Sequence, residues 1–81
     1  MEELAIIKRI HFGSRDVDRP VIWFEETHLD GGSLQIIEMK DIPNFLKKAN
    51  CYDIKDLEGA AIIIEHDGAG SFCTVKDFFN R

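Results

Sequence analysis

The sequence is poor in most of the features that announce a chemistry. Its 81 residues hold two cysteines, Cys51 and Cys73, with no CxxC spacing, and a single tryptophan, Trp23. Nothing points to an oxidising compartment, so both thiols are expected to be reduced and half-buried. No pair among His11, His28, His66, Cys51 and Cys73 lies two to four residues apart. That excludes a locally assembled zinc site, and neither metal nor cofactor is expected. Asp16 and Asp18 in "RDVDRP" resemble the start of a calcium loop but lack the glycine and distal glutamate such a loop requires.

Phosphate-binding glycine patterns are missing too. Gly31 and Gly32 in "EETHLDGGSLQII" are followed by a strand-like run, whereas a phosphate cradle leads into a helix amino end. They are expected to serve a hairpin. "HDGAG" fails as a cradle for the same reason, since "SFCTV" follows it. No Ser or Cys sits in an elbow such as G-x-S-x-G or beside a local base. Glu25 and Glu26 are adjacent on a strand, point to opposite faces and cannot form a dyad. No enzyme is expected.

Basic residues are outnumbered, 10 Lys and Arg against 15 Asp and Glu, for a net charge of −5. A general nucleic-acid binder needs the opposite balance. The amino-terminal "MEELAIIKRI" is acidic and its apolar run is broken by Lys8 and Arg9, unlike a signal peptide or membrane span. A cytoplasmic chain with no membrane contact is expected.

What is present is a patterned single domain, residues 1–81, with 44% hydrophobic and 31% charged residues. "LAIIKRIHF" alternates as a strand, with Ile6, Ile10 and Phe12 assigned to one face. "VIWFEET" is the clearest strand, apolar on both sides at its start and with Glu25 and Glu26 running out to solvent. "SLQIIEM" pairs with it through "HLDGG". "DIPNFLKKAN" changes period: Ile42, Phe45, Leu46 and Ala49 form one stripe, Asp41 is the expected cap and Asn50 a left-handed stop. "DIKDLEG" adds one turn capped by Asp53 and ended by Gly59. "AAIIIE" and "SFCTV" are two further strands, and "KDFFN" is expected to be a short closing turn. The fold class is α+β: a small antiparallel sheet of hairpins, in the order β-β-β-α-β-β, packed on one helix.

The acids cluster along the chain. Between positions 53 and 67 there are five, Asp53, Asp56, Glu58, Glu65 and Asp67, against Lys55 alone, a local charge of −4. They form a candidate partner-binding face, which Glu25, Glu26 and Asp30 extend. Trp23 is either core or the anchor of an interface.

Four stretches, "IKRIHFGSRD", "DGGSLQ", "CYDIKDLEGAAIIIE" and "VKDFF", together resemble a group of small proteins carried by bacteriophages and prophages. The chain departs from that pattern in having fewer glycines around Gly31 and no Trp before Asp56. The resemblance implies a small acidic interaction protein acting in the host cytoplasm. Its partner would be a host protein with a basic surface, such as a CRISPR or other defence nuclease complex, as for anti-CRISPR inhibitors. The alternative is a nucleic-acid accessory module using Lys8, Arg9, Arg15 and Arg19.

Overall fold

The computed structural model describes residues 2–14, 18–29, 31–66 and 73–79. Five strands form one antiparallel sheet: β1 (Glu2–Gly13), β2 (Val21–His28), β3 (Gly31–Ile37), β4 (Ala61–His66) and β5 (Cys73–Phe78). Their spatial order is β3-β2-β1-β4-β5. A single helix, α1 (Ile42–Ala49), lies between β3 and β4 in sequence, flanked by 3₁₀ turns at Met39–Asp41 and Ile54–Leu57. The α+β class and the element order therefore stand. The hairpins do not sit either side of the helix, however. The β1–β2–β3 meander and the β4–β5 hairpin are fused into one sheet through β1 and β4, with Ala5 opposite Ile62 and Glu2 opposite Glu65.

That sheet is curled. Laid flat, its two edge strands would be about 19 Å apart, four spacings of about 4.8 Å. Instead the Gln35 side chain on β3 donates a 2.7 Å hydrogen bond to the Cys73 carbonyl on β5. The interior so formed holds Ala5, Ile7, Ile10, Ile22, Phe24, Ile62 and Ile64, all almost fully buried. α1 closes one end, its Phe45 ring between Phe24 (centroids 6.1 Å) and Phe78 (5.2 Å). The helix stripe thus packs as its spacing predicts, and Asn50 ends it in the left-handed region at φ 52°. Asp41 occupies the cap position without a side-chain cap bond; a 3₁₀ turn already leads the chain in there. Asp53 does cap its turn, accepting from the Lys55 amide at 2.9 Å. Gly59 ends that stretch at φ 86°.

Two strand assignments change. Ile6 does not share a face with Ile10. The register shifts between Lys8 and Ile10, with Arg9 at φ 33°, so the buried positions run Ala5, Ile7, Ile10, and Ile6 faces outward. A β-bulge of this kind inserts one residue and reverses the parity beyond it. Past Ile6, β4 no longer reaches β1. The Ile7 amide bonds to Ala60, the Gly59 amide to Ile7, and the Glu58 carboxylate accepts from the Ile10 amide at 3.2 Å. Toward the carboxyl end the expected turn is strand: β5 runs through Phe78, which is buried, while Phe79 is exposed. The "HDGAG" turn, beyond His66, lies outside the described residues.

The glycine pair belongs to the hairpin, with His28 opposite Gly31 and Thr27 opposite Gly32. At Gly32 a Cβ would sit 2.6 Å from the Glu26 carbonyl oxygen, so only glycine lets β3 approach β2 this closely. No helix among the described residues is long and apolar enough to cross a membrane.

Candidate functional site

Strand β2 carries both surfaces of interest, because its side chains alternate. Ile22, Phe24, Glu26 and His28 point inward, while Trp23, Glu25 and Thr27 point outward.

Inside, the apolar interior ends in a polar cluster at the end opposite α1. Glu26 is 1% exposed, so it does not run out to solvent and is not part of any surface acidic patch. The pleat puts it on the same face as Phe24. Its carboxylate accepts from His28 Nδ1 at 2.5 Å and from Ser33 Oγ at 2.7 Å, and the Cys73 thiol lies 3.9 Å away. The amide of Gln35 donates to Ser33 Oγ at 2.9 Å as well as to Cys73, which fixes the serine as donor toward Glu26. Burial, opposed by the Ser33 hydrogen bond, pushes the Cys73 thiol pKa up and keeps it protonated.

Beside this set, His66 Nε2 meets Glu3 Oε2 at 2.6 Å, and the other Glu3 oxygen accepts from the Leu29 amide at 3.0 Å. The hydrogen bond from His66 holds the Glu3 carboxyl below the usual range against the opposing effect of burial. The His28 and His66 rings stack with centroids 5.4 Å apart. Glu3, His28 and His66 each offer a ligand atom within 4.8 Å of the others, and so do Glu26, His28 and Cys73. The cluster is thus able to hold a cation, which local spacing gave no reason to expect. Its members come from all five strands. The readable signal was small: Glu26 and His28 are two apart on a strand and therefore share a face.

Outside, Val21 at the start of β2 is fully buried, but beyond it the sheet leaves apolar side chains open to solvent. Leu4, Ile6, Leu34 and Ile36 are exposed there, with Trp23 and Ile63 half-buried beside them. Trp23 lies opposite Ile36 on β3 and His11 on β1, the His11 ring centroid 5.1 Å from its own. Next to the bulge, Lys8, Arg9, Trp23, Glu25 and Leu34 border a cleft of about 580 Å³. Glu25 sits 3.7 Å from Arg9 across it.

The described acids of the remaining set are spread along β4 and the turn before it. Asp53, Asp56 and Glu58 are on or beside the 3₁₀ turn that precedes β4, whereas Glu65 is near the far end of β4, about 13 Å further along the strand. Glu58 is engaged with the Ile10 amide, and Glu65 lies 3.9 Å from Lys76. Asp30 and Asp67 lie outside the described residues. Arg19 pairs through two nitrogens with Glu38, at 2.6 and 2.9 Å. Compared with protein family models, curated proteins and solved structures, the chain matches none.

Proposed function

We propose that the protein is a small interaction domain that docks on a partner protein through the outer face of its sheet. The observation that carries this reading is that face itself: Leu4, Ile6, Leu34 and Ile36 are exposed on it, with Trp23 and Ile63 half-buried beside them. A sheet that packs on one face normally keeps the other polar, and apolar side chains left exposed there signal a binding surface; here Leu4 and Ile6 fall on one side of the Lys8–Glu25 row and Trp23 and Ile36 on the other. Trp23 serves as the anchor, since aromatic side chains in desolvated centres dominate interface energetics. Net charge of −5 selects a partner whose contact surface is basic around an apolar centre. The phage resemblance gives the partner class, a bacterial host protein whose activity is blocked or modulated.

The test pairs wild type with a Leu34→Glu, Ile36→Glu double variant, both checked for native circular dichroism, in affinity capture from bacterial lysate. Capture of a defined host protein by wild type and its loss in the folded variant supports the proposal. Retained capture by the variant removes the outer face from consideration. A homodimer that the same substitutions dissolve replaces the host protein by a second copy.

One observation favours the second reading, a nucleic-acid accessory module. Lys8 and Arg9 border the cleft with Trp23 and His11, the combination of cations and stacking rings that single strands use. Against it, Glu25 faces Arg9 and Glu38 ties Arg19. A salt-sensitive gel shift with single-stranded DNA, abolished by Trp23→Ala, would establish that reading over the first.

A further inference from the structure

We infer that Glu3, His28 and His66 form a binding site for a divalent transition-metal ion of the zinc class, with Glu26 positioning His28 from behind. Two imidazoles and one carboxylate are a donor set suited to zinc, and three protein ligands leave one position for water or another donor.

The geometry is close to what the ion requires. A tetrahedral zinc with bonds of about 2.1 Å holds its ligand atoms about 3.4 Å apart. The three ligand atoms here already lie within 4.8 Å of one another, so closure takes shifts on the order of 1 Å. Glu3 and His28 supply the adjustment and the way in, with side chains 17% and 9% exposed against 4% for His66. The ion takes the place between His66 Nε2 and Glu3 Oε2 now held by their 2.6 Å hydrogen bond; the proton in that bond passes to solvent, and His66 ligates through Nε2 as a neutral imidazole with its one proton on Nδ1.

The surroundings are arranged as a metal site needs. A ligating histidine is usually held through its other nitrogen by a carboxylate. Glu26 does this at His28 Nδ1, which assigns Nε2 of that ring to the metal. Glu26 is fixed in turn by Ser33, and Ser33 by Gln35, so the support runs from β2 to β3 and on to β5 through the Cys73 carbonyl. The Leu29 amide orients Glu3 through the oxygen that does not face His66. Cys73 groups with Glu26 and His28 rather than with Glu3 and His66, its thiol 3.9 Å from Glu26.

The test is titration of metal-stripped protein with Co²⁺ and then Zn²⁺. The expected result is saturable binding of one Co²⁺ per chain, with visible d–d absorption and no thiolate-to-cobalt charge-transfer band in the near ultraviolet. Zn²⁺ then displaces the cobalt. Glu3→Gln and His66→Gln should each weaken Zn²⁺ binding by about tenfold or more, and Glu26→Gln by a comparable factor through loss of His28 positioning. Cys73→Ser should leave affinity within about threefold. Circular dichroism of each metal-free variant checks that the fold is intact, and the wild-type cobalt spectrum does not depend on any variant. Failure to bind Co²⁺ or Zn²⁺ saturably, or unchanged affinity in folded His66→Gln, overturns the inference. A thiolate band also overturns it, by moving the ligands to Glu26, His28 and Cys73.

Discussion

Replacing Glu26 by Gln tests whether the polar end of the interior is a closed, dry network. The substitution keeps size and shape but changes one acceptor oxygen into a donor. As found, the carboxylate faces three donors, His28 Nδ1 at 2.5 Å, Ser33 Oγ at 2.7 Å and the Cys73 thiol at 3.9 Å. With Gln, one oxygen remains to accept, and the NH₂ group points at a donor. The charge-assisted bond with His28 also becomes neutral, about half as strong. Losing roughly half of a 1.5–3 kcal/mol bond and leaving one buried donor unsatisfied, at about 1–3 kcal/mol, gives an expected loss of about 2–4.5 kcal/mol. An 81-residue domain has about 4–12 kcal/mol in total at typical stability per residue. Urea denaturation of metal-free protein followed by circular dichroism reads the change. With a slope of about 1 kcal/mol/M, the midpoint should fall by about 2 M or more. A drop below about 0.5 M would refute the reasoning, because it would mean that water already satisfies these donors. A double-mutant cycle with Ser33→Ala should show coupling between the two sites, since they share one hydrogen bond.

Three further outcomes are expected. Glu3, Glu2 and Glu38 have carboxyls held below their ordinary 4.5 by His66, Lys76 and Arg19 respectively. Their stabilisation is therefore complete above pH 4.5 and is lost as pH falls through the lower folded values; denaturation from neutrality to about pH 3 should show it, less steeply in Glu3→Gln. Gly32→Ala should destabilise by about 1–3 kcal/mol in thermal or urea unfolding, because the new methyl meets a backbone oxygen at 2.6 Å; an unchanged midpoint would mean that β3 shifts freely. Glu58→Ala should cost about 1 kcal/mol and speed hydrogen exchange at the Ile10 amide, whose partner it removes; unchanged exchange would argue against that bond.

Local chemistry was legible where a single turn or a single face decides it. Asn50 at φ 52°, Asp53 capping Lys55, Gly59 at φ 86° and the Ile42-to-Ala49 stripe all follow from residue type and spacing. So does the double burial of Val21 and Ile22 at the start of β2. The first strand was misassigned at Ile6, because the bulge at Arg9 carries no glycine or other mark that would warn of a change of parity. Glu26 was misplaced because charge suggested solvent, although its two-residue step from Phe24 put it on the buried face. The cluster around it was illegible for a different reason. Glu26 meets Ser33, and His66 meets Cys73, only through the registers of separate strand pairs. No local spacing encodes those pairings. The outer face was visible as apolar residues, but which of them stay exposed depends on α1 packing inside the curl.

The position of β1 at the centre of the sheet sets the order in which the chain can assemble. One edge of β1 is matched by β2, its neighbour in sequence, so the β1–β2–β3 meander closes through short loops soon after these residues are made. The other edge waits for β4, and the His66–Glu3 contact joins positions 63 residues apart. Closing that loop loses chain entropy before the β1–β4 hydrogen bonds form, which places the domain among the slower, milliseconds-to-seconds folders. Until β4 arrives, the meander presents an open hydrogen-bonding edge bearing Leu4 and Ile6, a template that another chain could pair with. The same central strand that makes the finished sheet continuous is thus the point at which a growing or refolding chain is most exposed to mispairing.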